Sequence, residues 1–196
     1  MIYKDNPLKG IVARYFRGKA GREKEQFADL VIDAELGEDY IISNYGRVFC
    51  ANTNEEIVPY YFPHREKYKT VKLKGYHKGT DVVRGVNILV AEAFIPRTKR
   101  DIELGRDTVH VLDWNKSNSR YTNLVWANHF EISIYTSMRD DDSTENLVKC
   151  ICMLLVRGYA QKEIEKIVGV PVKRSLINSI KKHKILPEIT SKYNFD

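Results

Sequence analysis

One stretch of the chain combines a histidine with a dense group of carboxylate and amide side chains. His110 precedes a polar segment that contains Asp113, Asn115, Asn118 and Asn123. A neutral imidazole can take a proton from water, and carboxylate or amide oxygens can hold a divalent cation that offsets charge on a phosphate. The same Asp and Asn side chains also tie loops together by hydrogen bonds to nearby backbone. We predict the loop-tying role for them and for Arg120, so hydrolytic chemistry here depends on how His110 is placed.

The remaining histidines and cysteines do not predict a metal site. The other histidines are His64, His77, His129 and His183. They are scattered and have no cysteine or carboxylate partner at ligand spacing. The cysteines are Cys50, Cys150 and Cys152. This odd set, with its Cys-x-Cys pair in an apolar stretch, predicts buried reduced thiols. The three aspartates of 140–142 predict a helix cap, because consecutive side chains diverge. We expect neither a metal nor a cofactor.

The elements before residue 139 are predicted to be short strands and one helix. Runs 40–43, 47–50 and 69–74 have strand character and are separated by turn residues, which predicts a small antiparallel sheet. In the last run, alternation places Thr70, Lys72 and Lys74 on one face and Val71 and Leu73 on the other. The apolar stripe of 86–94 predicts a helix.

After the polar run 139–144 the pattern becomes helical. One helix is predicted to end at Gly158, a second to span 161–168 and end at Gly169, and a third to span 172–182. On the third, Leu176 and Ile180 are predicted to face inward. Its predicted outward residues are Lys173, Arg174, Asn178 and Lys181. This order outlines a helix-turn-helix, whose last helix enters the DNA major groove. Trihelical units with basic surfaces also serve protein contacts, so that alternative stays open.

Composition favours a polyanionic partner. The chain of 196 residues carries 32 Lys and Arg against 26 Asp and Glu, a formal charge of +6. The excess is concentrated in three patches, over 9–24, 64–84 and 149–184. The longest apolar run, 151–156, is far shorter than the roughly 20 residues that span a bilayer, and the N-terminus has no signal-peptide core. We expect a protein of the cytoplasm with no membrane contact.

Two segments together resemble phage-type HNH homing endonucleases. The first, Tyr40-Ile-Ile-Ser-Asn-Tyr-Gly-Arg-Val48, is similar to the signature of a small DNA-contacting module that precedes the nuclease in that family. The second begins with Asn87-Ile-Leu-Val-Ala-Glu-Ala-Phe-Ile-Pro96. It continues with Val109-His-Val-Leu-Asp-Trp-Asn-Lys-Ser-Asn-Ser-Arg120 and then Asn123-Leu-Val-Trp126. The resemblance covers about half of the chain and implies a ββα nuclease scaffold with DNA as the partner.

The chain departs from the family at the positions that do the chemistry. Val111 occupies the position of the family's general base, and an aliphatic side chain cannot take a proton. His110 occupies the metal-ligand position before it, and the later Asn ligand falls near Ile132. A one-residue slip would turn His110 to the opposite strand face unless a bulge intervenes. We therefore predict a nuclease scaffold with an emptied active site, and residual Mg²⁺-dependent nicking through His110 as an alternative.

The predicted class is α+β, with three parts. These are a basic arm and small β-rich module over 1–80, a degenerate HNH-like ββα domain over 81–138, and a linker with a helix-turn-helix-like domain over 139–196. The candidate DNA contacts are Arg14, Arg17, Lys19, Arg22, Ser43, Asn44, Arg47, Lys69, Lys72, Lys74, Lys173, Arg174, Asn178 and Lys181. Phosphate contacts would give salt-dependent affinity, and Arg174 and Asn178 are the predicted base readers.

Two readings of the function remain open at this stage. In one, the chain is a stand-alone DNA-binding protein. In the other, it is an inactive phage regulatory protein that binds host RNA polymerase through a sigma factor, promoter DNA, or both, and inhibits or redirects host transcription. Its size and its Lys-, Asn- and Tyr-rich composition are similar to those of a staphylococcal-phage inhibitor with that target. The aromatic run of Tyr60, Tyr61 and Phe62 is the candidate protein anchor, although burial in the core would explain the same residues.

Overall fold

The computed structural model describes residues 24–30, 36–61, 68–75, 77 and 80–195. The chain divides into two compact units, Met1–Ala127 and Asn128–Asp196. Over its described residues, the N-terminal unit contains nine strands: β1 (Phe27–Asp29), β2 (Tyr40–Ser43), β3 (Val48–Cys50), β4 (Glu56–Ile57), β5 (Tyr60–Tyr61), β6 (Lys69–Lys74), β7 (Asp81–Gly85), β8 (Thr108–Val111) and β9 (Leu124–Ala127). The helices of the same described residues are α1 (Val86–Phe94) and the short α2 (Lys99–Glu103).

The strands form three antiparallel sheets in the order of the chain. These are β1-β2-β3-β4, β5-β6-β7 and the hairpin β8-β9. The alternation predicted for β6 is confirmed over 71–74, since Val71 and Leu73 are fully buried while Lys72 and Lys74 are exposed; Thr70, predicted to share the lysine face, is buried. Helix α1 contributes Leu89 and other apolar side chains to the same core. Burying this shared apolar face is what holds three small sheets together, because a two-stranded hairpin alone is marginal in water.

The C-terminal unit is helical throughout its described residues. Its helices are α3 (His129–Asp140), α4 (Thr144–Val156), α5 (Gln161–Val168), α6 (Arg174–Lys181) and α7 (Pro187–Thr190). Asn128 and Glu131 form a capping box at the start of α3, and the Ser143 hydroxyl accepts a hydrogen bond from the Asn146 backbone to cap α4. Gly158 and Gly169 follow α4 and α5 with φ of 74° at each. Glycine adopts this left-handed conformation without strain, so both helices end where the sequence predicts.

The predicted α+β class is confirmed, and the helix over 86–94 and the strands over 40–43 and 69–74 have the predicted bounds. The division into units differs from the predicted one. The chain divides after Ala127, whereas the sequence analysis places a boundary at 138/139. Helix α3 packs with α4 and α5, and its Ile134 is buried. The acidic run is therefore a connection between two helices of one unit rather than a linker between domains.

Three further observations concern sites and membranes. Cys50, Cys150 and Cys152 are free and buried, as predicted. Over the described part of the chain, no group of three or more His, Cys, Asp or Glu side chains converges to hold a metal ion. Within the same residues, every helix is too short or too polar to cross a membrane.

Candidate nucleic-acid interface

Helix α6 is anchored to the C-terminal unit by one apolar edge. Ile180 is fully buried and Ile177 nearly so, and Val172 in the preceding turn is also buried. The prediction that Leu176 lies on this edge is wrong. Leu176 is only half-buried and lines a shallow surface groove of about 390 Å³ with Pro171 and four other residues. The helix begins at Arg174, and its i, i+3 pair at 177 and 180 faces the interior.

The turn that leads into α6 is held by two side chains of α5. The Gln161 amide donates to the Val172 carbonyl at 2.8 Å, and a Glu165 carboxylate oxygen accepts from the Val172 backbone N–H at 3.1 Å. The same Glu165 oxygen accepts from Gln161 at 3.3 Å. Helix-turn-helix units that bind DNA often have a small residue at the position of Glu165. In this chain the Glu165 carboxylate accepts hydrogen bonds from the turn and from Gln161, and these bonds fix the direction in which α6 begins.

The outward face of α6 presents polar and cationic groups at helical spacing. Arg174, Asn178 and Lys181 lie at i, i+4 and i+7, so they form one stripe, and all three are exposed. Lys173 at the N-cap is also exposed, and the first turn contains no acidic residue. Among the residues that the structure describes, none of these cations forms an ion pair. The stripe therefore carries uncompensated positive charge beside an amide that can read a base edge.

Two predicted contacts of the N-terminal module have an internal role instead. Ser43 is completely buried, and its hydroxyl accepts hydrogen bonds from the backbone N–H groups of Tyr45 and Arg47. Asn44 is 3% exposed, and its side chain accepts from the Gln26 N–H at 3.0 Å. These side chains close a turn and hold β1 in place. They do not reach the surface, so direct DNA contact through Ser43 and Asn44 is corrected to a structural role.

Three other predicted cations of this unit are neutralised by carboxylates. Arg47 forms a two-point ion pair with Glu25, with nitrogen–oxygen distances of 2.9 and 2.6 Å. Lys72 pairs with Asp81 at 2.6 Å, and Lys74 pairs with Glu38 at 2.7 Å. Glu25 lies 22 residues from Arg47, and Glu38 lies 36 residues from Lys74, so the local charge pattern of the sequence did not predict these two ion pairs. Local pairing lowers the attraction of this surface for phosphate.

The remaining predicted residues of the unit are placed as follows. Lys69 is half-buried and opposes Tyr61 across β5 and β6. Tyr61 is 52% exposed and Tyr60 is 36% exposed, so neither is a core residue. The basic arm and one aromatic lie outside the described residues; they are Arg14, Arg17, Lys19, Arg22 and Phe62.

The hairpin β8-β9 fixes which way His110 and Val111 point. Its register is continuous from Thr108 opposite Ala127 to Val111 opposite Leu124, so no bulge interrupts it. Val111 is 2% exposed and belongs to the apolar core of the N-terminal unit, while His110 faces the other side of the hairpin. The imidazole of His110 therefore lies on the strand face opposite to Val111, the residue that the resemblance aligns with a general base.

His110 lies in an apolar setting. It is 7% exposed, opposes Val125 in the hairpin, and meets the Trp114 ring edge-on with ring centres 4.8 Å apart. Burial lowers the pKa of His110 below its ordinary value of 6.5, because the charged imidazolium would lose its hydration. The side chain is therefore neutral near pH 7.

This burial makes stability depend on pH. Just below pH 6.5 the unfolded chain binds a proton at His110 that the folded chain does not, so the free energy of unfolding falls as the pH drops through this range. We expect thermal unfolding of the N-terminal unit, followed by the fluorescence of Trp114 and Trp126, to shift to lower temperature between pH 7.5 and pH 5. In His110→Leu that shift should be smaller. An identical pH dependence in both proteins would contradict the burial of a neutral imidazole.

The polar segment after β8 is tied together around Asp113, as the sequence predicts. The Asp113 carboxylate accepts from the Asn115 backbone at 2.9 Å, from the Asn118 amide at 2.7 Å and from the Asn123 amide at 2.9 Å. Asn123 returns a bond by accepting from the Asp113 N–H at 3.0 Å. Burial acts to raise the pKa of Asp113, but the hydrogen bonds from Asn118 and Asn123 outweigh it and hold the pKa below 3.8.

Removing the carboxylate should loosen this loop. Asp113→Ala eliminates three accepted hydrogen bonds at a partly solvated site, and we expect a loss of about 2 kcal/mol in unfolding free energy. Urea unfolding followed by tryptophan fluorescence measures it. Asp107→Ala is the matched control, because that exposed carboxylate accepts only from its neighbour Thr108. The control should change stability by less than about 0.5 kcal/mol, and equal losses in the two variants would contradict the hub role of Asp113.

The position predicted for the later metal ligand, Ile132, belongs to the C-terminal unit. Ile132 lies on α3 one turn after its capping box and is half-buried. No side-chain oxygen is available at Ile132 to bind a metal.

Sequence reasoning missed a set of cations that stack on aromatic rings. The Arg120 guanidinium lies 4.5 Å from the centre of the Tyr45 ring, and the Lys116 ammonium lies 5.2 Å from that of Tyr68. Arg97 similarly lies 5.1 Å from the centre of the Trp126 ring. The partners of Arg120 and Lys116 are distant in sequence, so no local pattern signals them.

Comparison with known proteins adds one likeness. No family model matches the chain, and no curated protein matches it. Among solved structures, the chain is similar to one described as "DNA binding and cleavage by the HNH homing endonuclease I-HmuI". The two are 18% identical with a TM-score of 0.44, over 80% of this chain and 90% of that chain.

Proposed function

We propose that the chain binds duplex DNA through α6 and does not cut it. The observation that carries this proposal is the stripe of Arg174, Asn178 and Lys181, which is exposed, unneutralised among the described residues and aimed by a hydrogen-bonded turn. Arginine pairs well with guanine and asparagine with adenine in the major groove. Lysines at the ends of such a helix contact phosphate and set affinity without reading sequence.

Loss of cleavage is the second part of the proposal. It is supported by Val111 in the apolar core, by Ile132 at the predicted metal-ligand position, and by His110 on the wrong strand face. Hydrolysis of a phosphodiester needs a base within reach of water and a cation on the phosphate. Neither is provided by the side chains at these positions. Residual nicking through His110 is the competing hypothesis, and Mg²⁺-dependent plasmid nicking that disappears in His110→Ala would favour it.

The experiment that tests duplex binding is an anisotropy titration across salt. Each phosphate contact releases counterions, so the logarithm of the affinity should fall linearly with the logarithm of salt concentration, with a slope of about −0.9 per contact. We expect a slope of about −3 to −5 for the cations on and beside α6. Affinity that does not change between low and physiological salt would contradict the proposal.

The finer proposal is that this binding regulates host transcription, with an RNA polymerase sigma factor as a second partner. The observation that favours a protein partner is the exposure of Val58, Tyr60 and Tyr61, at 80%, 36% and 52%, around the edge strand β5. Exposed aromatics are frequent anchors of protein interfaces. Purified sigma factor retained on the immobilised protein after nuclease treatment supports this partner. Loss of all retention with the nucleic acid would leave DNA binding alone.

A further inference from the structure

A second surface of the molecule interleaves aromatic rings with cations. It surrounds the loop 115–120, and we call it the loop surface. Its rings are Tyr45, Tyr61 and Tyr68, and its cations are Lys69, Lys116 and Arg120. Two of the cations lie over rings, Arg120 over Tyr45 and Lys116 over Tyr68.

The third ring joins the same surface by a hydrogen bond and by strand pairing. The Tyr61 hydroxyl lies 3.4 Å from the Ser117 hydroxyl, which places this ring against the loop. Across the sheet, Lys69 is the direct partner of Tyr61. Paired residues of antiparallel strands share a face, so the Lys69 ammonium lies on the side of the Tyr61 ring. Tyr60 points to the opposite face by alternation.

The backbone of this surface is held by hydrogen bonds, and Arg120 keeps its positive charge. The loop is tied by the bonds of Asp113, Asn118 and Asn123, so the cations project from a fixed backbone. The carboxylate nearest to them in sequence, that of Asp113, is occupied by those internal bonds. Among the described residues, Arg120 has a ring and no carboxylate as its side-chain partner. A fixed array lowers the entropic cost of binding.

A surface in which aromatic rings alternate with cations matches the alternation of bases and phosphates along a nucleic-acid strand. Every nucleic-acid base has a flat face that stacks on an aromatic ring, and arginine stacks on the same faces. Cations between the rings neutralise the phosphates that link successive bases. In a duplex the base faces are covered by their neighbours, so only unpaired bases can use the rings. We infer that the loop surface binds single-stranded nucleic acid, as a site separate from the duplex-binding stripe of α6.

The test is anisotropy of a fluorescent oligonucleotide of roughly 15 thymidines, within the usual site size of such surfaces. Tyr61→Ala and Arg120→Ala should each weaken binding about tenfold, since a stacked base is lost with each ring or cation. Tyr60→Ala is the matched control, because it removes the same ring from the same strand on the opposite face. It should bind within about twofold of the parent protein. Tryptophan fluorescence melting checks that each variant is folded.

The duplex-binding proposal and this one fail separately. Arg174→Ala with Asn178→Ala should leave thymidine binding unchanged while weakening duplex binding. A uridine oligonucleotide of the same length tests RNA binding. The inference is supported if the parent protein binds either oligonucleotide and both loop variants, Tyr61→Ala and Arg120→Ala, lose that binding. Equal affinities of Tyr61→Ala, Arg120→Ala and the parent protein, or no binding of either oligonucleotide by the parent, would overturn it.

Discussion

Replacing both Arg174 and Asn178 by alanine should weaken binding to the preferred duplex by at least about a hundredfold. Each base contact that a side chain makes in the major groove is worth about 1 to 3 kcal/mol of discrimination, so two contacts together reach this size. Both side chains are exposed on the outer stripe of α6, and their removal takes nothing from the core. The measurement is anisotropy on a duplex selected from a random library, with a scrambled duplex beside it.

Two comparisons separate base reading from simple loss of charge. Lys149→Ala removes one exposed cation from α4 of the same unit and should change affinity by less than about threefold. Lys181→Ala should weaken selected and scrambled duplexes alike and reduce the salt slope by about 1. If the Arg174 and Asn178 double variant lost affinity equally for both duplexes, α6 would be a phosphate-binding helix and not a reader of sequence.

The substitution Ile180→Ala should lower the unfolding free energy of the C-terminal unit by about 3 kcal/mol, because removal of a fully buried side chain leaves a cavity in the core. Ile180 anchors α6, so the loss should also release the DNA-binding stripe and weaken duplex affinity. Urea unfolding followed by circular dichroism at the helical band measures the stability, since the described part of this unit is helical.

The neighbouring apolar residue provides the control. Leu176 is half-buried and lines the surface groove, so Leu176→Ala should cost about 1 kcal/mol, the size expected for partial burial. The difference between these two variants tests the register of α6 directly. A loss at Leu176 equal to or larger than that at Ile180 would show that α6 is rotated relative to the arrangement described above.

Local patterns in the sequence predicted several of the elements, because short-range periodicity and turn residues decide them. The apolar stripe of 86–94, the alternation in 69–74 and the glycines after two helices each gave the observed element. The hydrogen bonds around Asp113 were also predictable, since Asp and Asn at two- to five-residue spacing bond within a loop. The buried face of α6 could not be predicted in the same way. Leu176 and Ile177 are both apolar, and tertiary packing determines which of them is buried.

The candidate site was less predictable, because its character depends on contacts between distant residues. The residue types of Ser43 and Asn44 match the signature of a DNA-contacting module. In the structure both side chains are buried and accept hydrogen bonds from backbone N–H groups. Lys72 and Lys74 alternate outward as predicted, but the carboxylates that neutralise them come from other elements. The stacking of Arg120 on Tyr45 joins residues 75 positions apart. A cluster of cations in the sequence shows only how many cations are present. It does not show which of them form ion pairs in the folded protein.

A single titration of supercoiled plasmid tests the central claim that the chain binds DNA without cutting it. The protein is added in steps with Mg²⁺ present, and each sample is divided between a native gel and a gel run after the protein has been removed. The account predicts retarded plasmid on the native gel and unchanged supercoiled plasmid on the other, even after long incubation at saturating protein. Open-circular or linear plasmid that depends on Mg²⁺, or no retardation at any concentration, would contradict it.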